Sequence, residues 1–195
     1  GRAAVKVMNP SFKGDERVRR RLFREAAIAR RVAHPSVTDV LLNDITPAGE
    51  PFVVMERLYG RDMGRILKQV GGPLDADVIL LVAVEVLDLL DHCHRIGVHH
   101  RTLAPFQIYL TADGHVKVFD FGTGYVRDDT HPQTLESLGT DLHGYIAPEL
   151  LTAKPAVSDP RVDIYSLGAV LLTLATGRVI GDAAEIGRAS CRERV

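Results

Sequence analysis

The chain has few of the features that mark secreted, membrane-spanning or nucleic-acid-binding proteins. Its 195 residues contain two cysteines, Cys93 and Cys191, which make no disulfide framework. It has no apolar run that spans a bilayer, which takes about 20 residues. Val78–Leu90 is broken by Glu85 and Asp88, and Ile164–Ala175 is too short. No signal-peptide pattern is visible. Charge is nearly balanced, at −1 net, so nothing points to nucleic acid or an anionic membrane. The basic run Arg17–Arg24 reads as the solvated face of a helix. Internal repeats and low-complexity stretches are also lacking. These absences predict a cytoplasmic protein, and the excess of arginine over lysine suits a GC-rich bacterial genome.

What is present is a globular pattern of mixed periodicity. Ala3–Met8 is a short β-rich run closed by Asn9-Pro10. Asp15–Val32 carries helical spacing, with Val18, Leu22, Ala26 and Ala29 on one face. Val37–Leu42 and Pro51–Arg57 read as strands. Arg61–Gln69 reads as a short helix closed by Gly71-Gly72. Leu74–Arg95 is apolar nearly all round, which predicts a buried helix. Ile108–Leu110 and His115–Phe119 flank the turn Thr111-Ala112-Asp113-Gly114. Asp159–Thr176 is a second apolar helix. Strands with one helix, followed by helices with one hairpin, give an α+β class with a small sheet lobe and a helical lobe.

The residues richest in chemistry lie around the hairpin. His100-Arg101-Thr102-Leu103-Ala104-Pro105-Phe106-Gln107 precedes it, and Phe119-Asp120-Phe121-Gly122 follows. This pattern resembles the catalytic loop and D-F-G motif of the protein kinase family, in its bacterial Ser/Thr form. The resemblance covers about residues 3–176. It implies a two-lobed fold, with a partial small lobe over 1–58 and a partial helical lobe over 59–184. The Gly-rich loop and the last helices of the large lobe have no counterpart. Leu167, Val170, Leu171 and Leu174 are therefore expected to form an exposed apolar patch. Ile186–Val195 matches the translation of a common short-read sequencing adapter, so 185–195 is set aside as a tail of that origin.

The resemblance implies roles by position. Lys6, in Ala4-Val5-Lys6, would reach the α- and β-phosphates of ATP, with Glu25 as its ion-pair partner. Met55 would stand as gatekeeper, and backbone groups of Glu56 and Leu58 would meet the adenine edge. Asp62 falls at a ribose-binding position; the residues alone read it equally well as a helix N-terminal acid. Tyr109 replaces the leucine that usually floors the adenine. Asp120 would hold magnesium, with Gln107 at the second metal position, one methylene longer than the usual asparagine. Asp163 matches the buried aspartate that holds the loop backbone. Gly139-Thr140 and Tyr145–Glu149 resemble the end of an activation segment. Thr130, Thr134 and Ser137 are candidate phosphorylation sites. His92, His94, His99 and His100 lack the ligand spacing of a zinc site.

The departures bear on activity. Thr102 stands where the family carries its catalytic aspartate, and Ala104 where it carries a lysine. A threonine hydroxyl does not ionise near neutral pH, and loss of a general base costs roughly 10²–10⁴ in rate. These residues imply a pseudokinase that binds ATP and magnesium weakly or not at all and acts on a signalling partner. Two other readings stay open. One is a slow kinase acting on protein hydroxyls with Asp141 replacing the base; the other is a relic without function.

Overall fold

The computed structural model describes residues 2–12, 14–121, 125–126, 140–152 and 159–180. Gly122, Thr130, Thr134, Ser137, Gly139 and the tail 185–195 lie outside the described residues. The side chains of Thr140 and Asp141 lie outside them too.

Three short strands make the small-lobe sheet: β1 (Ala3–Val7), β2 (Val40–Ile45) and β3 (Pro51–Glu56). They pair antiparallel in the order β1–β3–β2, and the register sets Lys6 opposite Val53. One helix, α1 (Glu16–Val32), packs on this sheet. Asp15 caps it, its carboxylate accepting the Arg17 N–H at 2.9 Å. That acceptor satisfies one of the amides a helix start leaves open. Leu22 and Ala26 pack with Met8 and Val53 in a small core.

The expected strand Val37–Leu42 begins later, at Val40. The preceding backbone is claimed by the large lobe. Val118 N–H donates to Ser36 O at 2.7 Å, and Thr38 N–H donates to Val118 O at 3.2 Å. This connection fixes part of the small lobe to the large one.

The large lobe follows in the order β4 (Gly60–Asp62), α2 (Met63–Val70), α3 (Ala76–Arg95), β5 (Val98–His99), β6 (Ile108–Thr111), β7 (Val116–Val118), β8 (Tyr125–Val126), α4 (Pro148–Thr152) and α5 (Arg161–Thr176). β4, β6 and β7 form one sheet, and β5 pairs with β8. The helix expected from Arg61 starts instead at Met63, because Gly60–Asp62 pairs with β6. Gly60 sits at φ 147°, and a Cβ there would stand 2.1 Å from Leu110 O. Only glycine permits so close an approach.

The main core lies between α3 and α5. Val82, Val86, Leu89, Leu90 and Cys93 of α3 join Leu167, Val170 and Leu174 of α5. The apolar patch expected on α5 is therefore corrected. Leu167, Val170 and Leu174 are buried, and Leu171 is partly buried against the same core. The exposed stripe is on α3, where Leu80, Val84 and Leu87 are 61%, 64% and 44% exposed. α3 is apolar on several faces; among the described residues those toward α5, β5 and β7 find cover, and the Leu80–Val84–Leu87 stripe stays exposed. Among these residues no helix is long and apolar enough to cross a membrane.

Candidate functional site

Three charged residues from three elements converge where the two lobes meet. β1 carries Lys6, α1 carries Glu25, and the strand exit after β7 carries Asp120. Lys6 Nζ lies 2.7 Å from Glu25 Oε2 and 3.8 Å from Asp120 Oδ1. Burial, reinforced by the nearby Asp120 charge, raises Glu25 to about 7 despite Lys6. Burial also pushes Asp120 upward, but the charges of Lys6 and Arg21 outweigh it and hold Asp120 below the usual carboxylate range. Both Glu25 oxygens accept from Lys6 Nζ, at 2.8 and 2.7 Å. Met55 lines a narrow cavity together with Glu25, Asp120 and Phe121.

Asp120 has a left-handed backbone, at φ 70°. This turns the chain so that Phe121 is buried while the Asp120 carboxylate faces Lys6. The Phe121 ring packs on His100, with centroids 4.7 Å apart. Burial holds the His100 imidazole below its ordinary range, and so neutral, against the opposing charges of Asp163 and Asp120.

The loop between β5 and β6 is anchored from α5. Asp163 is fully buried, and its carboxylate accepts the backbone N–H groups of His100 at 3.0 Å and Arg101 at 2.6 Å. His94 Nε2 bonds to the same carboxylate at 2.8 Å. Arg101 adopts φ 72°, a strained conformation for a residue with a side chain, and the Asp163 bond on its own N–H helps hold it. Beyond it, Thr102, Leu103 and Ala104 are all buried, Thr102 at 1% exposure. Thr102 thus sets a neutral hydroxyl inside the fold.

Gln107 closes a short 3-10 turn, Pro105–Gln107. Its Oε1 accepts the Ala104 N–H at 2.9 Å, and its Nε2 donates to Asp120 O at 3.5 Å. The side chain is therefore engaged at both ends.

The connection between the lobes runs from Glu56 to Gly60. Glu56 directs its carboxylate away from Lys6, to Lys117 Nζ at 2.7 Å. Leu58 lines the same outer groove as Glu56 and Lys117. Asp62 caps α2, accepting the Arg65 N–H at 2.9 Å, and pairs with the Arg65 guanidinium at 3.2 Å. Tyr109 stands opposite Asp62 in the β4–β6 register and donates its hydroxyl to Gly60 O at 2.7 Å.

A family description, protein kinase domain, matches residues 1–193. The chain belongs to the protein kinase family. A probable serine/threonine-protein kinase of Corynebacterium efficiens is 35% identical over 181 residues, covering 90% of this chain and 27% of the relative. The probable serine/threonine-protein kinase PknB of Corynebacterium glutamicum is likewise 35% identical, with the same coverage. The serine/threonine-protein kinase PkaA of Streptomyces coelicolor is 33% identical, over 90% of this chain and 32% of its own length. The chain thus spans about a quarter to a third of these relatives.

In this kinase domain the histidine-rich stretch is spread over unrelated tasks. His92 Nε2 bonds to Val32 O at 2.7 Å across the lobe boundary. His94 supports Asp163, and its ring meets His99 edge-on at 5.3 Å. Reasoning from sequence missed Lys117, His94 and the capping role of Gln107. Alternation along β7 sets Lys117 on the opposite face from Val116 and Val118, but nothing local names its partner. Ala104 has no capping side chain, so the sequence carried only half of the usual capping signature, the glutamine three residues on.

Proposed function

We propose that this kinase domain is a pseudokinase that binds ATP weakly or not at all and acts in signalling through protein contacts. The observation that carries this reading is Thr102, a neutral side chain at 1% exposure in the position of the general base. A buried hydroxyl with ordinary acidity does not take a proton from a substrate hydroxyl at neutral pH. Ala104 beside it supplies no cation for the transferring phosphoryl group. Lys6, paired with Glu25, remains suited to the phosphates of a nucleotide, and Met55 with the backbone of Glu56 and Leu58 to its base. Asp62 and Tyr109 are committed to the α2 cap and to Gly60 O, which weakens their case as ribose and adenine contacts.

The intact group of Lys6, Glu25 and Asp120 favours a second reading, a slow serine/threonine kinase transferring the γ-phosphate to protein hydroxyls. Loss of a base by roughly 10²–10⁴, from turnover of roughly 1–100 per second, leaves measurable transfer. Magnesium, when bound, would supply charge neutralisation for the nucleotide phosphates. The ionised Asp120 carboxylate suits it as one ligand, whereas the Gln107 amide does not, being bonded into the backbone.

The deciding experiment uses the parent protein, with a fluorescent ATP analogue titration beside a labelled-phosphate transfer assay on itself and on a generic protein. Absence of transfer, with or without weak nucleotide binding, supports the pseudokinase. Transfer that Lys6→Met abolishes and Thr102→Asp enhances supports the slow kinase and overturns the first reading.

A further inference from the structure

Gln107 and Ala104 close a ring of two hydrogen bonds. The Gln107 backbone N–H donates to Ala104 O at 2.9 Å, and the Gln107 side-chain oxygen accepts the Ala104 N–H at 2.9 Å. Ala104 has an extended backbone and stands immediately before Pro105. This is the helix-start arrangement in which a glutamine three residues on reaches back to the cap residue's own amide. Both residues are out of solvent, at 0% and 2% exposure, so water does not replace either bond. The other end of the amide donates to Asp120 O at 3.5 Å, and Gln107 O accepts the Phe119 N–H at 3.1 Å. The glutamine thus ties the loop holding Thr102 and Ala104 to the backbone before and at Asp120.

The orientation of the amide follows from its partners. Reversing it would aim an NH₂ group at the Ala104 N–H and leave that buried donor unsatisfied. A divalent cation of magnesium size requires oxygens at about 2.0–2.1 Å in near-octahedral geometry. The Gln107 oxygen has one lone pair committed to the Ala104 amide, and the other belongs to a side chain at 2% exposure whose aim that bond fixes.

We infer that Gln107 is a positioning residue that staples the Ala104–Gln107 turn to Asp120, and that it contributes no ligand to a divalent cation. Its extra methylene gives the reach that turns the amide back onto Ala104. Cation binding at this end of the cleft then rests on Asp120, whose nearest cationic neighbour is Lys6 at 3.8 Å. The inference takes from the proposed function only the assignment of Asp120 to the phosphate end.

The test compares wild type with Gln107→Met, which removes both side-chain bonds at similar volume, and with Gln107→Glu, which keeps an acceptor at the same reach. Two readouts are taken: amide hydrogen exchange at Ala104, and uptake of Mn²⁺ alone followed by electron paramagnetic resonance. The expected result is at least tenfold faster Ala104 exchange in Gln107→Met, protection retained in Gln107→Glu, and Mn²⁺ affinity within twofold of wild type in Gln107→Met. Unchanged Ala104 exchange in Gln107→Met, or a tenfold loss of Mn²⁺ affinity, overturns the inference. Absence of Mn²⁺ uptake by wild type agrees with it, and the Ala104 amide then decides. If Gln107→Met unfolds, seen as lost protection at Val86 and Leu89, Gln107→Glu decides alone: retained Ala104 protection supports the staple and lost protection overturns it. Nucleotide titration tests the proposed function separately, so either can fail without the other.

Discussion

Lys117 Nζ lies 2.7 Å from Glu56 Oε1, joining the end of the small-lobe sheet to the large-lobe hairpin across 61 residues of sequence. Both partners are doubly engaged. Glu56 also accepts the Asp39 N–H at 2.9 Å, and Lys117 also donates to Val37 O at 3.3 Å. The pair sits in a groove of about 550 Å³ at the outer side of the lobe connection. It is partly shielded, with side chains 17% and 29% exposed, so it should couple more strongly than a fully exposed pair.

Reversing one charge at a time should destabilise the domain, and reversing both should recover part of the loss. Glu56→Lys and Lys117→Glu are each expected to lower stability by about 1–3 kcal/mol, with a coupling of about 1 kcal/mol in the double variant. Thermal melts in low salt and at about 1 M salt check this, because the coupling should shrink as the Debye length falls. Additive single effects would show that the pair contributes no coupling.

Asp163 should be the more sensitive position. Asp163→Asn keeps one acceptor but removes the charge that serves two backbone amides and His94. Breaking such a buried arrangement is expected to cost about 3 kcal/mol. Urea titration of the domain measures it, and a loss below about 1 kcal/mol would show that His100 and Arg101 hold their backbone without the carboxylate.

The upward shift of the Glu25 carboxyl gives stability a defined pH dependence in metal-free buffer. Its folded value, about 7, lies above its ordinary value of 4.5. The contribution is therefore fully present below 4.5 and is lost as pH rises through 7. The loss across that window is on the order of 3 kcal/mol as an upper figure. Glu25→Gln should flatten this part of the profile, which denaturant titrations at several pH values would show. A profile identical to wild type would mean that Glu25 ionises normally in the fold.

Tyr109→Phe removes only the hydroxyl bonded to Gly60 O. The expected cost is about 1 kcal/mol, measured by thermal melting, with faster hydrogen exchange at the Arg61 and Asp62 amides. Unchanged exchange there would show that β4 is held by its ladder to β6 alone.

The sequence by itself determined the longer elements and their order, because those follow from local chemistry, but not the short β4, β5, β8 and α4. Asp15 starts α1, the Asp113-Gly114 turn joins β6 to β7, and the β-strand and helical periods name the inward residues. The motif spacings also brought Lys6, Glu25, Asp120 and Asp163 to the page as a set, and three of them meet within ion-pair distance. Other features were decided only by the tertiary structure. An apolar helix does not say which face is covered, so α5 is buried where exposure was expected and α3 keeps an exposed stripe. The backbone of Ser36–Thr38 was taken by Val118 of the other lobe, which delayed β2 to Val40. Lys117 and Glu56, or Gln107 and Asp120, find each other only after distant strands are brought together. A long polar side chain carries its chemistry in its type, but its direction is set by whichever partner the packed backbone leaves within reach.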